Sequence, residues 1–496
     1  MTVSARPQQG IARNTAYNLA GSLIPIAVTL ITVPMYLHQI GQARYGVLAI
    51  VWLILGYFSI FDMGLSRATV NLTAKWRDSK AEDRQSLFWT ALFMNALFGL
   101  LGGLLFWLLG GLLLEDVIKM PSELRTEVMT ALPWITLAIP VLTVAGVLAG
   151  TLEGNGRFLA VNIISVIGSV MFAVVPLVIA FVWSNSLIWL IPAAVLTRVT
   201  FTIPLFVSAL RSLPRPGLVK PSLKVGRKLV GYGGWVMVTN IIGPILEAAD
   251  RMLIAAVLGV VAVTAYTIPF NLADRLRIIP NSLARTLFPH LSTLNAELAK
   301  QTAQMGVRML GKVMALMVCL GILGIHVFIS LWISQDFADK AAPVGEIILL
   351  GLWINGLAFL PFSLLQSQGR PDLTAKLHAL ELIPFLGVLW LSMQWFGLEG
   401  AALAWTLRVS VDAVLLFSFA RLAKPILSDL WPAFFALGGS WILAATLPDQ
   451  SLLKWGIGTL LLLCLATWIW RSEPNLRDKL VRGLPSLRHI SVGKIP

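Results

Sequence analysis

Charge is scarce in this chain, and cysteine is scarcer. Asp, Glu, Lys and Arg make up only 12% of its 496 residues, about half the share of an average soluble domain. There are two cysteines, Cys319 and Cys464, and both fall in apolar runs, which excludes a disulfide framework and leaves them as packing residues. No Gly-x-x-x-x-Gly-Lys-Ser/Thr stretch occurs, so ATP is not bound by a Walker loop. His-Glu-x-x-His and Cys-x-x-Cys are missing, so no metal is implied. A Gly-x-Ser-x-Gly elbow is missing as well. Nothing calls for a cofactor. The loops between apolar runs are too short to shape a catalytic site, and the chain reads as a non-enzyme.

What is present is hydrophobicity. The chain is 57% hydrophobic, with a mean hydropathy of +0.81. Only a polytopic helical membrane protein accommodates that comfortably. A span needs about 20 mostly apolar residues. Fourteen such runs are expected, near 14–38, 43–65, 87–114, 128–152, 158–183, 187–210, 229–258, 260–289, 309–333, 344–368, 373–396, 399–422, 430–447 and 452–470. The segment before the first is polar, with Arg6 and Arg13, and the run that follows is too long for a cleavable signal core, so it stays as a span.

The net charge of +14 is placed unevenly. One set of loops holds Arg67, Lys75, Arg77, Arg157, Arg211, Arg215, Lys220, Arg370 and the basic tail. The opposite set holds only Arg44, Lys119, Arg125, Lys340 and Lys454, with most of the loop acids. The positive-inside rule then puts both termini in the cytoplasm and removes the need for a nucleic-acid partner.

Several charges nonetheless lie inside the spans. Glu247, Asp250 and Arg251 sit in the seventh, Asp274, Arg275 and Arg277 in the eighth, Arg408 and Asp412 in the twelfth, and Arg198 alone in the sixth. An ion at mid-bilayer costs roughly 2.5–3.5 kcal/mol on insertion scales, so such residues face a bundle interior or a wet cavity. Tyr266, Phe270, Asp274, Arg277, Asn281 and Arg285 recur at helical spacing and predict one stripe down the eighth span. Arg408 and Asp412, four apart, read equally well as an ion pair holding the bundle together. Arg198 has no acid within a turn. His326 and His378 read as hydrogen-bonded core residues rather than proton relays.

The chain also looks duplicated. Pro25, Ile40-Gly41 and Tyr45 are echoed by Pro244, Leu258-Gly259 and Tyr266. The fourth span ends in Gly156-Arg157 and the tenth in Gly369-Arg370. Helix capping beside a positive loop would also give such pairs. The expected layout is a six-helix bundle at 1–210, a basic linker at 211–228, a second six-helix bundle at 229–424, two further helices within 425–471, and a tail at 472–496. The bundles are parallel repeats of one another.

Several stretches carry a family likeness. They are Asn14 to Pro34, Arg44-Tyr45-Gly46, Phe61-Asp62-Met63-Gly64-Leu65-Ser66-Arg67-Ala68, Gly150 to Phe158, Asp250-Arg251, Pro269-Phe270, Leu365 to Pro371, and Phe396 to Ala402. In that order and spacing the chain resembles the bacterial polysaccharide flippases, the Wzx-type O-antigen exporters of the MOP (multidrug, oligosaccharidyl-lipid, polysaccharide) superfamily. The common form has twelve spans, and the two extra ones are similar to the lipid II flippases of that superfamily. The resemblance implies a bacterial inner-membrane carrier. Its cargo would be an undecaprenyl-pyrophosphate-linked oligosaccharide, with polysaccharide polymerase and chain-length proteins as possible partners.

Arginine suits a pyrophosphate because its fork binds such groups bidentately. On this reading Arg251, Arg275, Arg408, Arg198 and Arg277 are the cargo-binding cations of a central cavity. Glu247, Asp250 and Asp274 would exchange H+ or Na+, and Gly156, Arg157, Gly369 and Arg370 would mark cytoplasmic gates. A drug–cation antiporter is the rival within the superfamily. It would want acids and aromatics in its spans, whereas cations prevail here.

Overall fold

A computed structural model describes residues 8–57, 61–213 and 219–472, with side chains from Ile24 onward except at 57, 231–245, 247, 289, 371 and 423–428. Among the described residues every regular element is helical. The α-helices are α1 (Gln8–Tyr57), α2 (Leu65–Lys75), α3 (Ala81–Leu112), α4 (Ser122–Gly154), α5 (Phe158–Val182), α6 (Leu187–Leu210) and α7 (Leu223–Val257). They continue with α8 (Val260–Asp274), α9 (Ile278–Leu291), α10 (Ala296–Trp332), α11 (Gln335–Ser367), α12 (Pro371–Phe419), α13 (Ala423–Thr446) and α14 (Leu452–Ser472). Nine of the described helices are long and apolar enough to cross a membrane. The expected all-α membrane fold holds.

The expected spans are recovered with a different punctuation. The first two are one run, α1, bent at Gly41 (φ 77°, ψ 166°). The eleventh and twelfth are likewise one run, α12, bent at Gly397 (φ 55°, ψ −131°). Glycine is needed at both bends because a Cβ disfavours positive φ. The eighth span is not the single helix that its stripe predicts. It is α8, a 3-10 turn at Arg275–Arg277, and α9. The cause lies just downstream. Pro280 has no N–H for the carbonyl of Leu276, and its ring crowds that carbonyl, so the backbone before it tightens.

By backbone packing the chain divides into two compact units: Met1–Thr267 with His378–Ala401, and Ile268–Leu377 with Ala402–Pro496. In lipid no hydrophobic force drives helices together, so close approach at small residues does that work. In the first unit, α4 offers Gly146, Gly150 and Gly154 on one face. A Cβ on them would lie 2.4 Å from Ser66 Oγ, 2.7 Å from the Ser66 carbonyl and 2.6 Å from Thr73 Cβ. The short helix α2 is therefore seated on a glycine ribbon. A Cβ at Gly46 would come within 2.8 Å of Thr264 Oγ1 and would strike the carbonyl of Val260. The second segment of α1 thus touches the backbone of α8, and Thr264 donates to the Gln42 carbonyl at 2.7 Å. In the second unit α11 takes this role. Gly351 lies under Trp405 and Thr406 of α12, and Gly356 lies under Met314 of α10. Trp353 donates to the Gly311 carbonyl at 2.8 Å.

Candidate functional site

The residues expected to bind cargo or exchange ions divide between the units. Arg198, Asp250 and Arg251 belong to the first, and Asp274, Arg275, Arg277 and Arg408 to the second. Glu247's side chain lies outside the described residues.

In the first unit, α7 and α8 bring Asp250 and Tyr266 together. Asp250 is 1% exposed. It accepts from the Tyr266 hydroxyl at 2.8 Å and from the Arg251 backbone N–H at 2.6 Å. A buried carboxylate left without donors would cost far more than an ordinary hydrogen bond returns. Arg251 is buried beside it and interacts with other groups in the chain. On α6, Arg198 meets a π face: its guanidinium carbon stands 4.2 Å from the centre of the Phe172 ring on α5. A ring face attracts a cation without using its in-plane N–H donors. From Phe172 a chain of aromatic edges runs through Trp52 to Tyr36 and Tyr45 on α1.

In the second unit, Arg277 ends the 3-10 turn. Its Nε and Nη2 donate to Asn355 Oδ1 on α11 at 3.2 and 3.0 Å. Its Nη1 lies 3.1 Å from Asp274 Oδ1. Arg275 is exposed on the same turn. Arg408 on α12 is half-buried and Asp412 is buried, and both interact with other groups in the chain. The 3-10 turn therefore carries two guanidiniums inside a run that stays right-handed helical from Asp274 to Ile278.

The two Gly-Arg corners have matching geometry. Gly156 (φ 76°) and Gly369 (φ 74°) are left-handed. In one, Arg157 N–H donates to the Leu152 carbonyl at 2.9 Å and Gly156 N–H to Glu153 at 2.8 Å. In the other, Arg370 N–H donates to Leu365 at 3.0 Å and Gly369 N–H to Gln366 at 3.1 Å. Both are paired glycine caps that satisfy the last carbonyls of a helix. Arg157 and Arg370 are exposed.

Other polar groups were not foreseen in their roles. Glu127 at the start of α4 receives Arg44 at 2.7 and 3.3 Å. It also receives the backbone N–H of Leu187, which opens α6, at 2.7 Å. Asp62, in the turn before α2, is buried. It accepts from the Ser66 N–H at 3.0 Å and from the Ser66 hydroxyl at 3.0 Å. Burial pushes its carboxyl up to about 6, against the pull of those bonds and of Arg67. His326 departs most from expectation. It is not a quiet core residue but lies between two carboxylates, Asp339 and Asp449. The sequence held one signal for this: Lys454, at the start of the last apolar run, follows Asp449 by five residues. No cluster of His, Cys, Asp and Glu suited to a metal occurs among the described residues.

The family model for polysaccharide biosynthesis proteins matches residues 11–295, more than half of the chain. The chain belongs to the polysaccharide biosynthesis protein family. A family relative from Shigella flexneri, named "Putative O-antigen transporter", is 28% identical over 409 residues, covering 82% of this chain and 96% of that one. Among solved structures, the lipid II flippase MurJ in an inward closed conformation aligns with TM-score 0.71 at 12% identity, over 92% of this chain and 99% of that one. An inward-facing MATE multidrug transporter of the MOP superfamily aligns with TM-score 0.68 at 13% identity, over 83% of this chain and 99% of that one. At such identities these two show a shared fold. The family match places this multi-span membrane protein in polysaccharide biosynthesis, as the resemblance implied.

Proposed function

We propose that this protein moves an undecaprenyl-pyrophosphate-linked oligosaccharide from the inner to the outer leaflet of the bacterial inner membrane. O-antigen, capsule or exopolysaccharide synthesis would consume the product. The observation that carries the reading is the 3-10 turn in the eighth span. A stretch of 3-10 helix inside a longer helical run often marks a functional position. Here it holds Arg275 and Arg277 close together. Two guanidiniums suit a pyrophosphate, not an organic cation, and this separates the reading from a drug antiporter of the same fold.

Transport would alternate access to the cargo while the isoprenoid tail stays in lipid. The two repeats, 1–210 and 229–424, supply the moving halves, with the cytoplasmic corners Gly156–Arg157 and Gly369–Arg370 as gate positions. Both termini are cytoplasmic on this reading. The inside-negative potential favours outward movement of an anion by about 2.3 kcal/mol per charge per 100 mV. Arg198, Arg251 and Arg408 complete the binding cations. Glu247, Asp250 and Asp274 exchange H+ or Na+ to reset the carrier, a role that ends if neutralising all three leaves transport intact. Polymerase and chain-length proteins would take over the delivered cargo.

The test is reconstitution. Proteoliposomes holding a fluorescent lipid-linked oligosaccharide should expose it to an external quencher only when the protein is present. An Arg275→Ala, Arg277→Ala double variant should lose most of that exposure. Equal flipping by wild type and double variant would remove the arginines from the account.

A further inference from the structure

The last two helices are pinned to the second unit by charges the cargo reading does not use. At one end, Arg308 of α10 pairs with Asp429 of α13 at 2.8 Å. At the other, the link between α13 and α14 brings Asp449 against His326 of α10. His326 Nε2 lies 2.9 Å from Asp339 Oδ1 of α11, while Nδ1 lies hard against Asp449 Oδ2, close but off the line of a well-aligned hydrogen bond. Lys454 of α14 is buried, with its side chain 3% exposed, and contacts the other oxygen of Asp449. Gln335 donates to Asp339 at 3.1 Å, and Trp455 donates to the Asp449 carbonyl at 2.7 Å. Asp336 and Lys340, on the same turn of α11, are exposed and are not among the ring's partners.

A neutral imidazole has one N–H and one bare lone pair. Both ring nitrogens of His326 face carboxylate oxygens, so a neutral ring would turn a lone pair onto an anion. The charge count agrees. Two carboxylates against Lys454 alone leave one negative charge, and an imidazolium brings the sum to zero.

We propose that Asp339, His326, Asp449 and Lys454 form a proton-binding site, and that the bound proton locks the α13–α14 link onto α10 and α11. Loop charges assign this end of the bundle to the outer side, so the proton comes from outside the cell. The site is separate from the arginine turn and holds whether or not that turn binds pyrophosphate.

Hydrogen exchange of the 447–452 link, measured on the full chain in nanodiscs, tests this. Samples near pH 5 and pH 8 bracket the range in which imidazole changes charge, and protection is corrected for intrinsic exchange. Wild type should lose about tenfold protection at the higher pH, the size of one lost charge-assisted contact. Asp449→Asn balances the remaining charges around a neutral ring and should keep similar protection at both values. His326→Gln should be poorly protected at both. Equal protection of wild type at the two values, or a wild-type response retained in His326→Gln, overturns the proposal. Because the readout is exchange rather than transport, its failure is distinct from failure of the flippase reading.

Discussion

Arg198 and Arg277 both sit within apolar helical runs, yet the chain holds them differently. Arg198 rests 4.2 Å over a phenylalanine ring. Arg277 is gripped in its own plane by Asn355 at 3.0 Å and by Asp274 at 3.1 Å. A π face orients a guanidinium while leaving its charge largely uncancelled and its edges able to bond an anion. In-plane partners fix its direction more tightly but occupy donors that cargo would have to share. The same contrast runs through the surroundings. The first unit relies on glycine ribbons and aromatic edges, whereas the second adds charge clusters such as His326 with its two aspartates.

The largest expected break in that comparison is at Gly46. Gly46→Val drives a side chain into the Val260 carbonyl, a backbone atom that cannot swing away. Destabilisation should reach about 3 kcal/mol or more, seen as loss of monodisperse protein in size-exclusion chromatography. Next comes Arg277→Ala, which removes a cation and strands Asn355 and Asp274. Flipping should fall about thirtyfold, the worth of roughly 2 kcal/mol in charge-assisted bonds. Arg277→Lys should recover part of it, since charge returns without the fork.

Tyr266→Phe is smaller. It takes one donor from buried Asp250 and should cost about 1–2 kcal/mol, read as a lower melting temperature. If melting is unchanged, the Tyr266 bond is not what satisfies that acid.

The smallest effect is a pH slope at Asp62. Its folded-state value, about 6, stands above the ordinary 3.8. The folded chain therefore holds this proton more tightly than the unfolded chain does. The stability it contributes is complete below about 3.8 and is lost as pH rises through about 6. Asp62→Asn should flatten that part of the melting-temperature profile, and an identical slope in both proteins would contradict the shift.

Much of the architecture was legible because a bilayer demands long apolar runs, and these are visible without knowing any contact. Bends were harder. Gly41 and Gly397 mark positive φ, but glycine is too common in this chain to single them out. The 3-10 tightening at Arg275–Arg277 was hidden because the stripe from Tyr266 to Arg285 fits a uniform α-helix, and only Pro280 hinted otherwise. Asp250 and Arg251 could be singled out as buried charges, but the Tyr266 bond depends on how α7 and α8 pack. The His326 cluster was out of reach for the same reason: its acids come from a neighbouring helix and from a link far along the chain.

The account rests on a guanidinium turn that recognises pyrophosphate. The most direct measurement compares flipping of one glycan on a diphosphate and on a monophosphate lipid, in wild type and in Arg277→Gln. Wild type should favour the diphosphate clearly, and the variant should lose most of that preference while still moving the monophosphate form. An unchanged preference in the variant would contradict the account.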